Sequence, residues 1–115
     1  MIVTAGLAYL ATQIVTDYTY MGIGEGIDAV ALGDTTLGGE IIAYRAICDT
    51  HSATEAVATF ENEFTVLAAG IALTEAGLFT AATAGNMFGR QVFSALNLNE
   101  NDKIKITWTI TFANA

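Results

Sequence analysis

The stretch KIKITWTITF, Lys103 to Phe112, alternates without a break. Ile104, Ile106, Trp108, Ile110 and Phe112 hold one parity, and Lys103, Lys105, Thr107, Thr109 and Thr111 hold the other. Successive side chains of a strand point to opposite faces, so this pattern specifies a strand with one face on a core and one in solvent. Trp108 lies at the centre of the apolar parity and is expected to be buried. A strand of this kind belongs in an antiparallel sheet with one wet face.

Other segments follow the same logic. AVATFENEFTV, residues 56–66, places Phe60, Asn62, Phe64 and Val66 on one face and Thr59, Glu61, Glu63 and Thr65 on the other. DYTYMGIG, IIAYRAICDT, GIALTEAGLFTA and MFGRQVFSA read as further strands, rich in β-branched and aromatic residues. HSATE reads as a hairpin loop, TAGN as a turn and LNLNEND as a polar loop. The chain between Glu25 and Glu40 reads as a Gly- and Asp-containing loop in which Asp34 caps one helical turn through Leu37. TAGLAYLATQIV fits a short helix capped by Thr4, with Leu7, Leu10, Ala11 and Ile14 at helical spacing. Six strands, one helix and no βαβ alternation imply a single domain spanning residues 1–115. It is mainly β, an antiparallel, jelly-roll-like β-sandwich with the short N-terminal helix on its edge or end.

Charge narrows the function. The net charge is −8, and the only basic residues are Arg45, Arg90, Lys103 and Lys105. Phosphate-dependent nucleic-acid binding and anionic membrane surfaces both need clustered cations, so neither partner is expected. Charged residues make up 14% of the chain, well under the ~25% of a typical domain. The excess of neutral surface points to burial against other subunits. The longest apolar run, Val66 to Leu73, is far short of the ~20 residues of a membrane-spanning helix. The apolar N-terminus has no Lys or Arg ahead of it, so it is expected in the folded body and not as a secretory signal. With Cys48 as the one cysteine, no intramolecular disulfide forms.

Motifs for chemistry fall short. GIGEG, Gly22 to Gly26, lacks the further glycine and the GK[ST] ending of phosphate loops and reads as a flexible strand exit. Cys48 and His51 sit three apart, which on a strand sends them to opposite faces, and no further Cys or His completes a zinc site. Asn97, Asn99 and Asn101 mimic the start of a calcium loop, but Asp102 and Trp108 stand where glycine and glutamate are required. Asp28 with Asp34, or Glu61 with Glu63, offers at most weak cation binding. No enzyme activity, metal or cofactor is expected.

Glu75 stands out because it lies in an apolar run, LTEAGLF. A lone buried carboxylate is costly and needs a partner. Arg45 in IIAYRAI and Arg90 in MFGRQVF occupy similar apolar settings, and the arginine fork suits a carboxylate. Glu75 is therefore expected to pair with Arg90, Arg45 or both across neighbouring strands. Gly77 marks a bulge or a close backbone approach.

These residues resemble a family. GDTTLGGE followed by Arg45, then EFTV, then LTEAGLF through GRQVF to the Trp108 strand, is similar to small structural proteins of tailed bacteriophages and archaeal tailed viruses. MGIGEG approximates that family's opening strand. Asp34, Thr35, Leu37, Glu40 and Arg45 match its second segment, with a wider Glu-to-Arg spacing. Glu75, Ala76, Gly77, Leu78, Phe79, Gly85 and Arg90 match its third. The EAGLF signature also resembles the N-terminal domain of tail-collar fibre proteins. The resemblance implies a virion protein, made and assembled in the host cytoplasm, that decorates the capsid or builds a vertex or fibre base. A tail-fibre or baseplate adaptor is the alternative. Its implied partners are major capsid or tail proteins. The few charges and unprotected strand edges add copies of the chain itself, as a trimer or, at a vertex, a pentamer, joined through the more neutral surfaces around the helix and Tyr18 to Ile23. A sugar-binding module using Tyr18, Tyr20 and Tyr44 is a rival of a different class.

Overall fold

The computed structural model describes residues 1–114. Helix α1 spans Thr4–Asp17. Seven strands follow: β1 (Tyr20–Gly24), β2 (Ala46–Ile47), β3 (Thr50–Thr54), β4 (Val57–Thr65), β5 (Ile71–Phe79), β6 (Met87–Leu98) and β7 (Lys103–Thr111). They form two sheets, ordered β2-β1-β5-β6 and β3-β4-β7, and every pairing is antiparallel. The fold is the antiparallel β-sandwich with one N-terminal helix that the alternating strands imply.

Apolar parities meet between the sheets. Met21 and Ile23 of β1, Ala58, Phe60 and Phe64 of β4, and Leu73, Ala76 and Leu78 of β5 form the centre. Asn62 shares the inner face of β4, and its Oδ1 accepts the N–H of Asp49 at 3.2 Å. α1 packs against β3 and β4, burying Ala11 and Val15. The helix starts differently from expectation. Thr4 is its first residue, and the residue before it, Val3, offers no side-chain cap. The Val3 carbonyl instead accepts the N–H groups of Gly6 and Leu7.

Trp108 is half-buried, not buried. β4 has neighbours on both sides and its inner face is fully covered, whereas β7 is the outer strand of the smaller sheet. Its alternation is that of a true strand, but Ile104, Ile106, Trp108 and Ile110 are covered on one flank only. Trp108 lies over Gly89, where an added Cβ would come within 3.6 Å of the indole.

Several boundaries move. Residues 41–50 do not form one strand. Tyr44 turns inward in a 3-10 turn, Ile42–Tyr44, and its hydroxyl accepts the Leu67 N–H at 2.8 Å. HSATE is mostly strand: β3 pairs with β4 up to Thr54↔Val57, leaving a two-residue loop with Glu55 at φ +53°. Its polar residues carry no apolar pattern because backbone pairing holds this outer strand. β6 continues through Leu98, and the turn after it is closed by the Asn99 N–H donating to Asp102 Oδ2 at 2.8 Å. Asp34 caps no helical turn.

Urea unfolding of two alanine variants checks the placement of the core. Phe60→Ala, at a fully buried site, should cost ~3–5 kcal/mol. Trp108→Ala should cost less, about 2 kcal/mol, because part of its area is already wet. The reverse order would show that β7, not β4, anchors the smaller sheet.

Candidate functional site

The chemistry-bearing residues gather on the outer face of the four-stranded sheet. The chain between β1 and β2 folds back over that face. Within it, the Glu25 N–H donates to Gly39 O at 2.9 Å, and the Ile41 N–H ties it to β1 by donating to Ile23 O at 3.0 Å. Leu37 is its apolar anchor, 5% exposed. It rests on Gly77, where a Cβ would lie 2.9 Å from Leu37 Cδ2 and 3.1 Å from Gly89 O. Gly77 thus provides the close approach its sequence setting suggests.

β5 loses its regular register with β6 between Leu73 and Glu75. Leu73 and Ala76 both enter the core although they are three apart, and Glu75 turns to the outer face. Its side chain is fully buried. Oε1 accepts the Gly38 N–H at 2.8 Å and Arg90 Nε at 2.8 Å. Oε2 accepts the N–H groups of Gly26 and Gly39, each at 2.7 Å. Four donors saturate an ionised carboxylate. A Cβ on Gly24 or Gly26 would sit 2.6 or 2.5 Å from Oε2, so side chains at these two positions would displace the carboxylate. Burial pushes the Glu75 carboxyl up, but the Arg90 bond and the three backbone N–H groups outweigh it and hold the group below the ordinary carboxylate range.

Arg90 engages each of its three nitrogens. Besides Glu75, it reaches Asp34 Oδ2 at 3.1 Å through Nη1 and the Asp28 carbonyl at 2.9 Å through Nη2. Asp34 also accepts the Ala31 N–H at 3.0 Å. That backbone bond, and then Arg90, hold its carboxyl low against some burial.

Arg45 does not join Glu75. The 3-10 turn before it brings it back onto Glu40, which it grips with both arms: Nε to Oε2 at 2.7 Å and Nη2 to Oε1 at 2.6 Å. Its Nη1 donates to the carbonyls of Ala81 and Ala84 at 3.2 and 2.7 Å. Its guanidinium lies 3.6 Å from the centre of the Phe79 ring. Arg90 therefore ties the loop to β5 and β6, and Arg45 ties it to the turn between those strands.

Such an arrangement leaves Glu75 without a lone pair for a substrate or a proton relay. It can hold a loop but is not built to turn over a ligand. The other candidates are placed elsewhere. Cys48 is buried, its thiol pushed up to about 11 by burial and then by Asp49. The Nδ1 of His51 lies 3.0 Å from the Val15 carbonyl. Glu61 and Glu63 face Lys105 and Lys103 at 3.6 and 4.0 Å. Asn97 lies in β6, and Asn99 and Asn101 lie in the turn that follows. Trp108 is on the opposite side of the molecule's larger sheet from Glu75, in the inter-sheet layer.

Sequence reasoning missed Glu40 as the partner of Arg45 and missed the backbone donors at Gly26, Gly38 and Gly39. The glycine pair at 38–39 and GIGEG were the available signals. The phosphate-loop likeness of GIGEG has a physical basis, since its backbone does contribute to an anion cradle, and the anion is the chain's own Glu75.

Glu75→Gln should cost ~3–5 kcal/mol in chemical unfolding, because it leaves Asp34 as the one carboxylate on the buried Arg90 guanidinium and turns an amide NH2 toward backbone N–H donors. Glu63→Gln, at an exposed pair, should cost less than ~0.5 kcal/mol. Because the folded pKa of Glu75 is depressed, its stabilisation is complete above the unfolded-state pKa of ~4.3 and is lost as pH falls through the folded value. Melting curves should therefore be flat from neutrality down to about pH 5 and drop below it, with a smaller acid drop in Glu75→Gln. An equal drop in both proteins would remove Glu75 as the acid-sensitive group.

No protein-family model matches the chain, and no curated protein is found to be similar to it.

Proposed function

We propose that this chain is a structural subunit of a tailed-virus particle. It is made and assembled in the host cytoplasm, and it decorates the capsid or builds a vertex or fibre base with capsid or tail proteins and copies of itself. One observation carries the reading. The charged residues behind the resemblance, Glu40, Arg45, Glu75 and Arg90, are all engaged in fastening one loop to one sheet, with Gly77 and Phe79 beneath them. Charge used in this way makes a rigid scaffold, which is what a particle subunit requires. A tail-fibre or baseplate position draws on the same clamp, since EAGLF, residues 75–79, belongs to that likeness too.

The sugar-binding rival has less support. Tyr44 is buried beneath Leu67, and Tyr18 packs edge-on to Phe88 at 5.2 Å. They do not form an open aromatic platform with Tyr20. The expected contact surface also changes. Met21 to Gly24 are buried in an inner strand and cannot meet a neighbour, because β1 lies between β2 and β5. The outer face of α1 stays open, with Tyr9 63% exposed and no charged residue before Asp17.

Mass spectrometry of particles purified by density gradient from the culture that encodes this chain tests the reading. Peptides of this chain should band with the particles in many copies, and gold-labelled antibody should then mark capsid or tail. A chain that stays wholly in the soluble fractions overturns the proposal.

A further inference from the structure

The sandwich ends in four strand edges, and three of them discourage a new strand. β2 has only two residues. β3 has five, flanked by Asp49 and Glu55, with His51 bonded back to α1. β6 is irregular: between the pairs Leu73↔Leu96 and Glu75↔Val92, three of its residues face the single Thr74. A bulge of this kind twists an edge away from a partner.

β7 is different. It has nine residues in unbroken register with β4, from Lys103↔Thr65 to Thr111↔Val57. The Val66 N–H donates to Asp102 O, and the Phe112 N–H donates to Ala56 O. The even-numbered residues of β7 thus direct their backbone groups at β4. In an antiparallel ladder the two groups of a residue point the same way and alternate along the strand. Lys103, Lys105, Thr107, Thr109 and Thr111 therefore present N–H and C=O at the free edge.

Charge indicates which strand fits there. The side chains of Arg45 and Arg90 are 4% and 3% exposed, whereas those of Lys103 and Lys105 are 64% and 58% exposed. The exposed ammonium side chains of a chain with net charge −8 are therefore both on β7, facing Glu63 and Glu61 of β4. Lysines on an edge strand ordinarily deter pairing, but these two turn toward β4. The strip is therefore charge-balanced, and the β7 of a second copy brings the same balanced strip, so a chain that is acidic elsewhere is not repelled from itself here. The apolar side agrees. Ile104, Ile106, Trp108 and Ile110 are half-buried, and a cleft of about 300 Å³ opens between Trp108 and Phe93.

We propose that β7 pairs antiparallel with β7 of a second copy about a two-fold axis at Thr107, joining two three-stranded sheets into one of six strands. A two-fold axis perpendicular to a sheet keeps each face on its own side, so residues of like parity must oppose one another. The register centred on Thr107 uses the whole strand. Lys103 faces Thr111, Lys105 faces Thr109, and Thr107 faces its twin, all through outward backbone groups. Ile106 then lies opposite Trp108 and Ile104 opposite Ile110, on the side of the half-buried cleft, and no lysine meets a lysine. The contact is isologous, so it builds pairs and even-numbered assemblies in place of the trimer or pentamer expected from the sequence. It does not depend on the virion reading.

Sedimentation equilibrium of the full chain, from micromolar to sub-millimolar concentration, should show a dimer forming reversibly. Thr109→Pro removes one outward N–H and no bond to β4, so circular dichroism should be unchanged while the mass falls to that of the monomer. Thr107→Cys should close an intermolecular disulfide under mild oxidation, since a hydrogen-bonded pair places its Cα atoms ~5.5 Å apart. Thr111→Cys, whose twin is at the far end of the paired strands, should not. If the proline variant fails to fold, the cysteine pair decides. A monomer at all concentrations, a dimer unaffected by Thr109→Pro, or a Thr107→Cys chain that does not cross-link overturns the proposal. A solution dimer from a chain absent from particles would leave this contact standing and remove the virion reading.

Discussion

An ionised carboxylate persists inside a protein only if every lone pair is met. Glu75 meets that condition with three backbone N–H groups from a distant loop and one arginine nitrogen. The loop between β1 and β2 is thereby converted into a covering for the larger sheet. Once it is in place, Leu37 seals Gly77, Arg90 reaches Asp34 and Asp28, and Arg45 closes over Phe79. Without the carboxylate, the glycines at 26, 38 and 39 would have no common acceptor and little apolar surface to hold them. The pairs contribute more to where the loop goes than to net stability, because desolvating two charges offsets much of their attraction.

The sequence was most legible where one physical signal dominated. β4 and β7 show strict period two, and both are strands over nearly the expected residues. The Glu75–Arg90 pair was readable from scarcity, since a carboxylate and a guanidinium in apolar runs need one another. What could not be read was non-local. β3 is held by backbone pairing to β4, which leaves no mark on its side chains. Residues 41–50 look like one strand because Ile, Tyr and Ile favour strands, yet burial of Tyr44 bends them. Trp108 looked central along its strand, but its exposure depends on which strand lies beside it, and that is a property of sheet order. Glycine donors to a carboxylate are the hardest to see, since the donating group is present in almost every residue.

Charge in this molecule is divided by depth. The two arginines are buried with glutamates, and the two lysines are exposed beside glutamates. Arginine suits the buried positions because its fork bonds several acceptors at once and stays ionised. The remaining acids coat the surface, which favours solubility and discourages contact except where neutral or balanced strips occur. The uncharged outer face of α1 and the lysine-bearing β7 are such strips.

The clamp also has a consequence in time. Its three backbone donors precede their acceptor by 49, 37 and 36 residues. Ring closure over such separations costs entropy before any bond rewards it, and non-local topologies fold slowly for that reason. During synthesis the glycine-containing loop leaves the ribosome well before Glu75 and Arg90, so it must stay uncommitted until the β5–β6 hairpin exists. The hairpin then acts as a template on which the loop docks, and docking of this loop is expected among the last steps of maturation. A nascent chain halted before residue 75 would carry an open flap where the finished protein has a covered sheet.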